Sequence, residues 1–347
     1  MTTAVKVVLG LRKGRGINMS TSKRIAGTLA IPIISAVLLE AVCLGNGQHI
    51  ITNMRSFHNF VVYTAIVMVT TMALSINLNS GRFDFSLGSM AALSAVIGAK
   101  AAYAVLGGGA GSAALMLLVT VLAGAVLGLA SGTLYVVLRI PPIITSLGVT
   151  LIYEGLLYTV TGGKYLMAEV QNSSMSGFVG TWVYAAVIIA IVLGIMILIF
   201  DHTKFGYDYN ALKNGQKVAV NTGIREVRNA LGCYIISGAL MGIVGFLNAA
   251  RNTNINGGQL NFGSIAIMFT AFLPMFIGSY IGRFSNEKLG FLLAAVCMSL
   301  LNSAFAALSN VVTASMQSII NAVLLMVFLI YLNNEKLLVK IFSMKKF

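Results

Sequence analysis

Apolar runs long enough to cross a bilayer recur along this chain, with short polar breaks between them. An α-helix needs about 20 apolar residues to span the hydrocarbon core. Ten runs approach that length, at about 26–45, 58–78, 85–106, 112–138, 143–161, 179–200, 229–249, 262–282, 289–309 and 313–333. Only Glu40, Lys100 and Glu154 put a formal charge inside them. Lys100 stands near the end of its run, from which a long side chain can carry its ammonium back to the polar boundary. The pattern predicts an all-α, polytopic membrane protein, with about ten transmembrane helices in a single domain over 1–347.

Composition sharpens this picture. Of 347 residues, 58% are hydrophobic and 9% charged, against about 25% charged in ordinary soluble domains. A mean hydropathy of +0.90 cannot be hidden in one soluble core, because much of any globular surface must be polar. A soluble enzyme, a disordered tail protein and a fibrous repeat are excluded.

The net charge is +14, from 23 Lys and Arg against 9 Asp and Glu. Ten spans put both termini on one side. If that side is the cytoplasm, 19 of the 23 basic residues lie inside, and Arg55, Lys100, Lys164 and Arg251 remain outside. That split matches the excess of Lys and Arg in cytoplasmic loops, and one span more or fewer would spoil it. The basic residues are spread over many short loops, so no nucleic-acid partner is expected. Cys43, Cys233 and Cys297 lie in apolar segments without CxxC spacing and read as small buried hydrophobes. The three His are scattered, so neither a metal nor another cofactor is expected. The first 25 residues or so are basic, with no clean apolar core or cleavage site. They read as a cytoplasmic N-terminal segment that is retained, the first span serving as its own address.

Two stretches half a chain apart look alike. Gly81-Arg82-Phe83-Asp84-Phe85, then Gly88-Ser89-Met90-Ala91, resembles Gly258-Gln259-Leu260-Asn261-Phe262, then Gly263-Ser264-Ile265-Ala266. The match needs a two-residue gap and an offset of about 176 residues. The first copy precedes span three on the inside; the second precedes span eight on the outside. Two inverted halves would leave such a pair, and in transporters the substrate path runs at the interface of such repeats. The alternative is that Gly and Ser simply recur at helix ends. Glycines four apart also line single helix faces, at Gly124, Gly128 and Gly132, at Gly238 and Gly242, and at Gly278 and Gly282. Small residues at that spacing let backbones approach closely, within one subunit or at a dimer seam.

The longest inside connection, about 201–228, is polar. Its spacing predicts a short helix over 208–213, a turn at Asn214-Gly215, and a second short helix over 216–222 stopped by Gly223. Ala211, Leu212, Val218, Ala219 and Ile224 give it apolar contact points. It is therefore either a compact knob that docks into a partner's groove or an ordinary solvated loop.

Four motifs carry a resemblance. In this connection stand Thr203-Lys204-Phe205-Gly206, Ala211-Leu212, Val218-Ala219 and Thr222-Gly223-Ile224. After span two stand Asn77-Leu78-Asn79-Ser80-Gly81 and Asp84-Phe85-Ser86-Leu87-Gly88-Ser89. Pro142-Ile143-Ile144-Thr145-Ser146-Leu147-Gly148 opens span five, and Thr161-Gly162-Gly163 closes it. In their order along the chain, over roughly 58–250, they resemble the permeases of ribose/xylose/galactose-type ABC importers, the sugar branch of the branched-chain amino acid permease superfamily. Gln216 and Lys217 stand where that family usually has an acidic residue, and Glu154 where it often has Arg. Its paired glycines after Ile265-Ala266 are replaced by Phe272-Leu273-Pro274-Met275-Phe276-Ile277-Gly278-Ser279, so the last third diverges.

The resemblance implies a permease subunit of an ATP-binding-cassette importer for a sugar or similar small polar solute. It would lie in a bacterial cytoplasmic (inner) membrane, multi-pass, with both termini cytoplasmic. The implied partners are an ATP-binding-cassette ATPase subunit, an extracytoplasmic solute-binding protein, and a second permease copy or paralogue. Ala211, Leu212, Asn214, Gly215, Ala219, Gly223 and Ile224 would meet the ATPase. No phosphate-binding loop G-x-x-x-x-G-K-[ST] occurs in this chain, so ATP would be handled by that separate subunit and the chain itself is not expected to be an enzyme. Costly polar groups in spans mark a candidate substrate path: Asn77, Asn79 and Asp84 where span two ends, and Glu154 in span five. Interrupted helices offer backbone groups to a hydroxylated solute; alternatively Asp84, with Ser86, caps span three. Glu154 would cost roughly 3 kcal/mol at mid-membrane unless it faces a partner or water. Glu40, near the outer end of span one, is expected to be solvated. The competing class is a proton-coupled secondary transporter, which inverted repeats, Asp84 and Glu154 would also suit.

Overall fold

The computed structural model describes residues 21–109, 111–166, 169–171 and 181–344. Most of the basic N-terminal segment, the first residues of the sixth expected span, and Lys345 and Lys346 lie outside the described residues. The helices are α1 (Thr21–Gly45), α2 (Met54–Asn79), α3 (Leu87–Leu106), α4 (Ser112–Leu138), α5 (Pro142–Thr161), α6 (Val183–His202), α7 (Lys204–Asn221), α8 (Glu226–Asn252), α9 (Ile265–Phe269), α10 (Phe272–Gly282), α11 (Glu287–Ala307) and α12 (Ala314–Met344). Among the described residues, ten spans are long and apolar enough to cross a membrane. Their bounds fall within a few residues of those read from the sequence. The eighth, Ile265–Gly282, is interrupted at Thr270 and Ala271 between α9 and α10. The chain is an all-α polytopic membrane protein.

Two compact units divide it: Asn53–Ala271, and Met1–Thr52 together with Phe272–Phe347. The larger unit is built around α2 and α8. Helix α2 is mostly apolar and buried along most of its length from Val62 to Asn77. Its start is fixed by Asn53, whose side chain accepts the Ser56 N–H at 2.9 Å. Its end is a Schellman turn: Gly81 N–H donates to the Leu78 carbonyl at 3.0 Å and Arg82 N–H to the Asn77 carbonyl at 2.9 Å. That turn needs a left-handed residue after the cap, and Gly81 supplies φ +74°.

The glycine stripes of α4 and α8 face each other. A Cβ at Gly238 would strike the Gly124 carbonyl oxygen, and one at Gly128 the Tyr234 carbonyl. The stripes therefore bring two backbones into contact inside one subunit. On the opposite side of α4, side chains such as Leu122 and Val126 stand exposed, which suits a hydrocarbon surround. A two-residue antiparallel bridge, Tyr165–Leu166 (β1) with Ile255–Asn256 (β2), ties the chain after α5 to the chain after α8. The apolar pattern gave no hint of it. Lys100 donates to the Val160 carbonyl at 2.7 Å, near the carboxyl end of α5, where a cation is favoured.

In the second unit α10 crosses α11 closely, since a Cβ at Gly290 would overlap the Gly278 carbonyl. Cys43 and Ile50 pack with Ala304 and Leu308. Glu40 is not simply solvated: its carboxylate takes the His49 ring at 2.8 Å and the Ile50 N–H at 3.2 Å. It so fastens the chain that leaves α1.

Gly238→Ala is expected to destabilise the protein, by about 1–3 kcal/mol, read as a lower melting midpoint in detergent. Gly194→Ala, on α6 with open space around it, is the control; it should hold or raise the midpoint.

Candidate functional site

Two interruptions of the helical backbone meet within the larger unit, and each is fastened by a buried carboxylate. The first lies between α2 and α3. Asp84, fully buried, accepts the Ser86 N–H at 2.9 Å and the Ser86 hydroxyl at 2.6 Å. Ser86 is the N-cap of α3, so the carboxylate closes off a helix start that would otherwise leave bare donors in an apolar setting. Asn77 donates to Ser237 at 3.1 Å and lies 3.5 Å from the second Asp84 oxygen.

The second interruption lies between α8 and α9. Its carboxylate comes from elsewhere in the chain. Glu154, on α5 and fully buried, accepts the Phe262 N–H at 2.9 Å, the Ser264 N–H at 2.9 Å and the Ser264 hydroxyl at 2.6 Å. Asn261 and Phe262 both have left-handed backbones, φ +56° and +66°, which is uncommon for residues with a side chain. The Glu154 hydrogen bonds hold this turn and cap α9 through its N-cap Ser264. The two helix starts then touch, since a Cβ at Gly88 would collide with the Ser264 carbonyl. Ser86 and Ser264 are thus structural counterparts. The offset is 177 residues through Phe85 and Phe262 and 178 at these serines, so Gly263 is a one-residue insertion where the sequence comparison placed a gap of two.

Beside this junction is a cavity of about 280 Å³ bounded by α2, α3, α8, α9 and the segment that joins the last two. Its polar wall is made of amides: Asn248 and Asn252 on α8, then Asn254, Asn256 and Gln259. Thr70 and Tyr63 add hydroxyls, and three alanines of α3 close the apolar side. No acid, lysine, arginine or histidine is among its described lining residues. The Gln259 side-chain oxygen is buried without a hydrogen-bond partner among the described residues. A buried acceptor of this kind is costly until something donates to it.

The polar connection after α6 folds as α7, with a break at Gly215, whose backbone is extended. Thr203 caps its start. A second Schellman turn ends it: Gly223 N–H donates to the Val220 carbonyl at 2.9 Å and Ile224 N–H to the Ala219 carbonyl at 3.3 Å, with Gly223 at φ +91°. Tyr209 donates towards the carbonyls of Ser75 and Ile76 at 3.4 and 3.2 Å, and so anchors the first piece of α7 to the end of α2. Leu212 and Ala219 are buried, whereas Tyr207 and Val218 are 61% and 70% exposed. A concavity of about 820 Å³ adjoins the segment, lined by Lys204, Arg225 and Arg228 against one acid, Asp208.

Residues 56–331 match the family described as branched-chain amino acid transport system, permease component. The chain belongs to this family. Similar permeases include the galactose/methyl galactoside import permease protein MglC of Haemophilus influenzae, 25% identical over 57% of this chain and 64% of that protein. The autoinducer 2 import system permease protein LsrC of Klebsiella pneumoniae is 27% identical over 46% of this chain and 50% of its own length. The fructose import permease protein FruG of Bifidobacterium longum is 24% identical over 86% of this chain and 90% of its own. The chain thus spans 64% and 50% of the first two of these relatives. No solved structure matches it.

Within this permease-family fold, the residues singled out from the sequence fall into two groups. Asn77, Asp84 and Glu154 are buried at the interruptions and do not line the cavity, and Asn79 lies half-buried in the last turn of α2. Of the coupling set, Asn214 and Gly223 are exposed, Ala211, Gly215 and Ile224 half-buried, and Leu212 and Ala219 turned inward. The amide wall escaped the sequence reading. Its one signal was the density of uncharged amides over 248–259, in a stretch that looked like an ordinary outside loop.

Glu154→Gln should lower stability by roughly 3 kcal/mol, because an amide oxygen cannot replace both acceptors; the check is the melting midpoint against wild type. Asp84→Asn should likewise lower the midpoint, since an amide oxygen accepts the Ser86 N–H and hydroxyl more weakly than a carboxylate does.

Proposed function

We propose that the chain is the permease subunit of an ATP-driven importer for a neutral, hydroxylated solute of the sugar class, in a bacterial cytoplasmic membrane with both termini cytoplasmic. The observation that carries this reading is the cavity beside the two fastened interruptions, whose polar wall is five amide side chains with no charged group. Amides donate and accept at once, so they satisfy hydroxyls in either sense. A charge-free wall spares the cost of desolvating an ion, and favours an uncharged cargo over a carboxylate or an ammonium. Two of the similar permeases are named for the import of galactose and methyl galactoside and of fructose, which are neutral, hydroxylated sugars.

The same reading assigns three partners: an ATP-binding-cassette ATPase, an extracytoplasmic binding protein that delivers solute, and a second permease copy or paralogue. The ATPase docks on α7, where exposed Val218 and Tyr207 offer apolar contact and the adjoining basic concavity selects an acidic rim. Of the coupling residues, Ala211, Asn214, Gly215, Gly223 and Ile224 form the docking surface, while Leu212 and Ala219 hold it from beneath. Asn77, Asn79, Asp84 and Glu154 serve the path indirectly, by keeping the two interruptions in place next to it. In operation, closure of the ATPases on nucleotide moves α7, and the bundle exchanges outward for inward access.

The test is uptake of radiolabelled neutral sugars into proteoliposomes holding the permease with its co-purified ATPase. Uptake should require MgATP, and Gln259→Leu should reduce it at least tenfold. Val218→Asp should strip the ATPase from the purified complex. Uptake driven by a proton gradient with no nucleotide would overturn the reading.

A further inference from the structure

One arginine of the first interruption is almost wholly enclosed, and the carboxylate that pairs with it also holds α7. Arg82, 3% exposed, directly follows the Schellman glycine that ends α2 and stands two residues before Asp84. Its Nη2 lies 3.5 Å from Oε1 of Glu226, while its Nη1 is buried without a hydrogen-bond partner among the described residues. A buried guanidinium depends on its counter-charge, and moving that charge changes its energy sharply. Glu226 is the first residue of α8, and the same Oε1 accepts a 2.7 Å hydrogen bond from the Gln216 amide. Gln216 is the first residue beyond the break at Gly215. One carboxylate oxygen is therefore shared between the outer piece of α7 and the segment that caps α3.

The two pieces of α7 are held differently. The inner piece is clamped by Tyr209 on the α2 carbonyls and by the edge-to-face packing of Tyr209 on Phe200, with ring centroids 4.9 Å apart. The outer piece is tethered at its first residue by Gln216 to Glu226. A pull on α7 by a partner is thus expected to swing the outer piece about Gly215 and to act first on this hydrogen bond.

We propose that Glu226 is a positioning residue that relays movement of the docking helix to the first helix interruption, through exchange of its Oε1 between Gln216 and Arg82. This rests on the importer reading above. When Gln216 is drawn away, the carboxylate turns wholly to the guanidinium and satisfies its open Nη1. Arg82 then draws on the turn that carries Asp84, and the α3 start that abuts Ser264 shifts with it. Gln216 and Arg82 act as the two ends of one link.

The experiment measures sugar imported per ATP hydrolysed by the reconstituted permease–ATPase complex. Gln216→Ala and Glu226→Gln should each lower that ratio about tenfold, with ATP hydrolysis and co-purification of the ATPase retained. Because both ends work through one oxygen, Gln216→Ala combined with Arg82→Gln should be no worse than the more affected single variant. Ratios within twofold of wild type for Gln216→Ala and Glu226→Gln overturn the proposal, as do losses that multiply in the double variant. Should the buried Arg82 or Glu226 variants fail to assemble, Gln216→Ala decides alone, since that side chain is exposed. A wild-type complex with no ATP-dependent uptake would instead sink the importer reading itself.

Discussion

A carboxylate that accepts backbone N–H groups in an apolar interior is the interaction on which this structure depends. A membrane-embedded chain must satisfy every peptide group internally, and an interrupted helix leaves donors bare. Asp84 answers this locally, two residues from the serine it fastens. Glu154 answers it from another helix, with three hydrogen bonds to Phe262 and Ser264. The first arrangement relies on a turn that the chain makes for itself. The second binds α5 to the start of α9, and makes the left-handed pair Asn261 and Phe262 tenable.

The interruptions would mean little if they lay apart. Gly88 lets the start of α3 abut the Ser264 backbone, while Gly124, Gly128, Gly238 and Gly242 let α4 and α8 close to backbone contact. Small residues do here what hydrophobic burial does in a soluble core, because lipid tails give apolar side chains no reason to leave them. The same packing leaves room for one amide-lined cavity next to the junction. The carboxylates that made a proton-coupled transporter conceivable are taken up with holding backbone, and the polar wall that faces free space is uncharged. In the importer proposed above, solute recognition and helix fastening would thus fall to different residues a short distance apart.

Helix α7 joins this arrangement at two points of unlike character. Tyr209 reaches the last carbonyls of α2, and the outer piece reaches the first interruption through Gln216 and Glu226. One attachment is neutral and enclosed; the other pairs an exposed amide with a carboxylate that also serves a buried cation. In the importer proposed above, such a division would suit a segment that stays attached while part of it moves.

What the sequence by itself determined is the number and placement of the spans, the stop at Gly223, the break at Asn214-Gly215 and the likeness of the Gly81 and Gly258 stretches. Each of these is local: apolar run length, turn chemistry and motif order act over a few tens of residues or fewer. It also brought Asp84 and Glu154 to notice, as ionisable groups where hydrocarbon was expected. Tertiary structure alone decided what they do. Nothing within ten residues of Glu154 announces that its partners lie 108 and 110 positions away. The cavity that the amides of 248–259 face forms only when α2, α3, α8 and α9 pack, and the Arg82–Glu226–Gln216 link joins three segments that no local rule relates. Periodicity records which residues avoid water, whereas the pairing of polar groups is settled by which helices come to lie side by side.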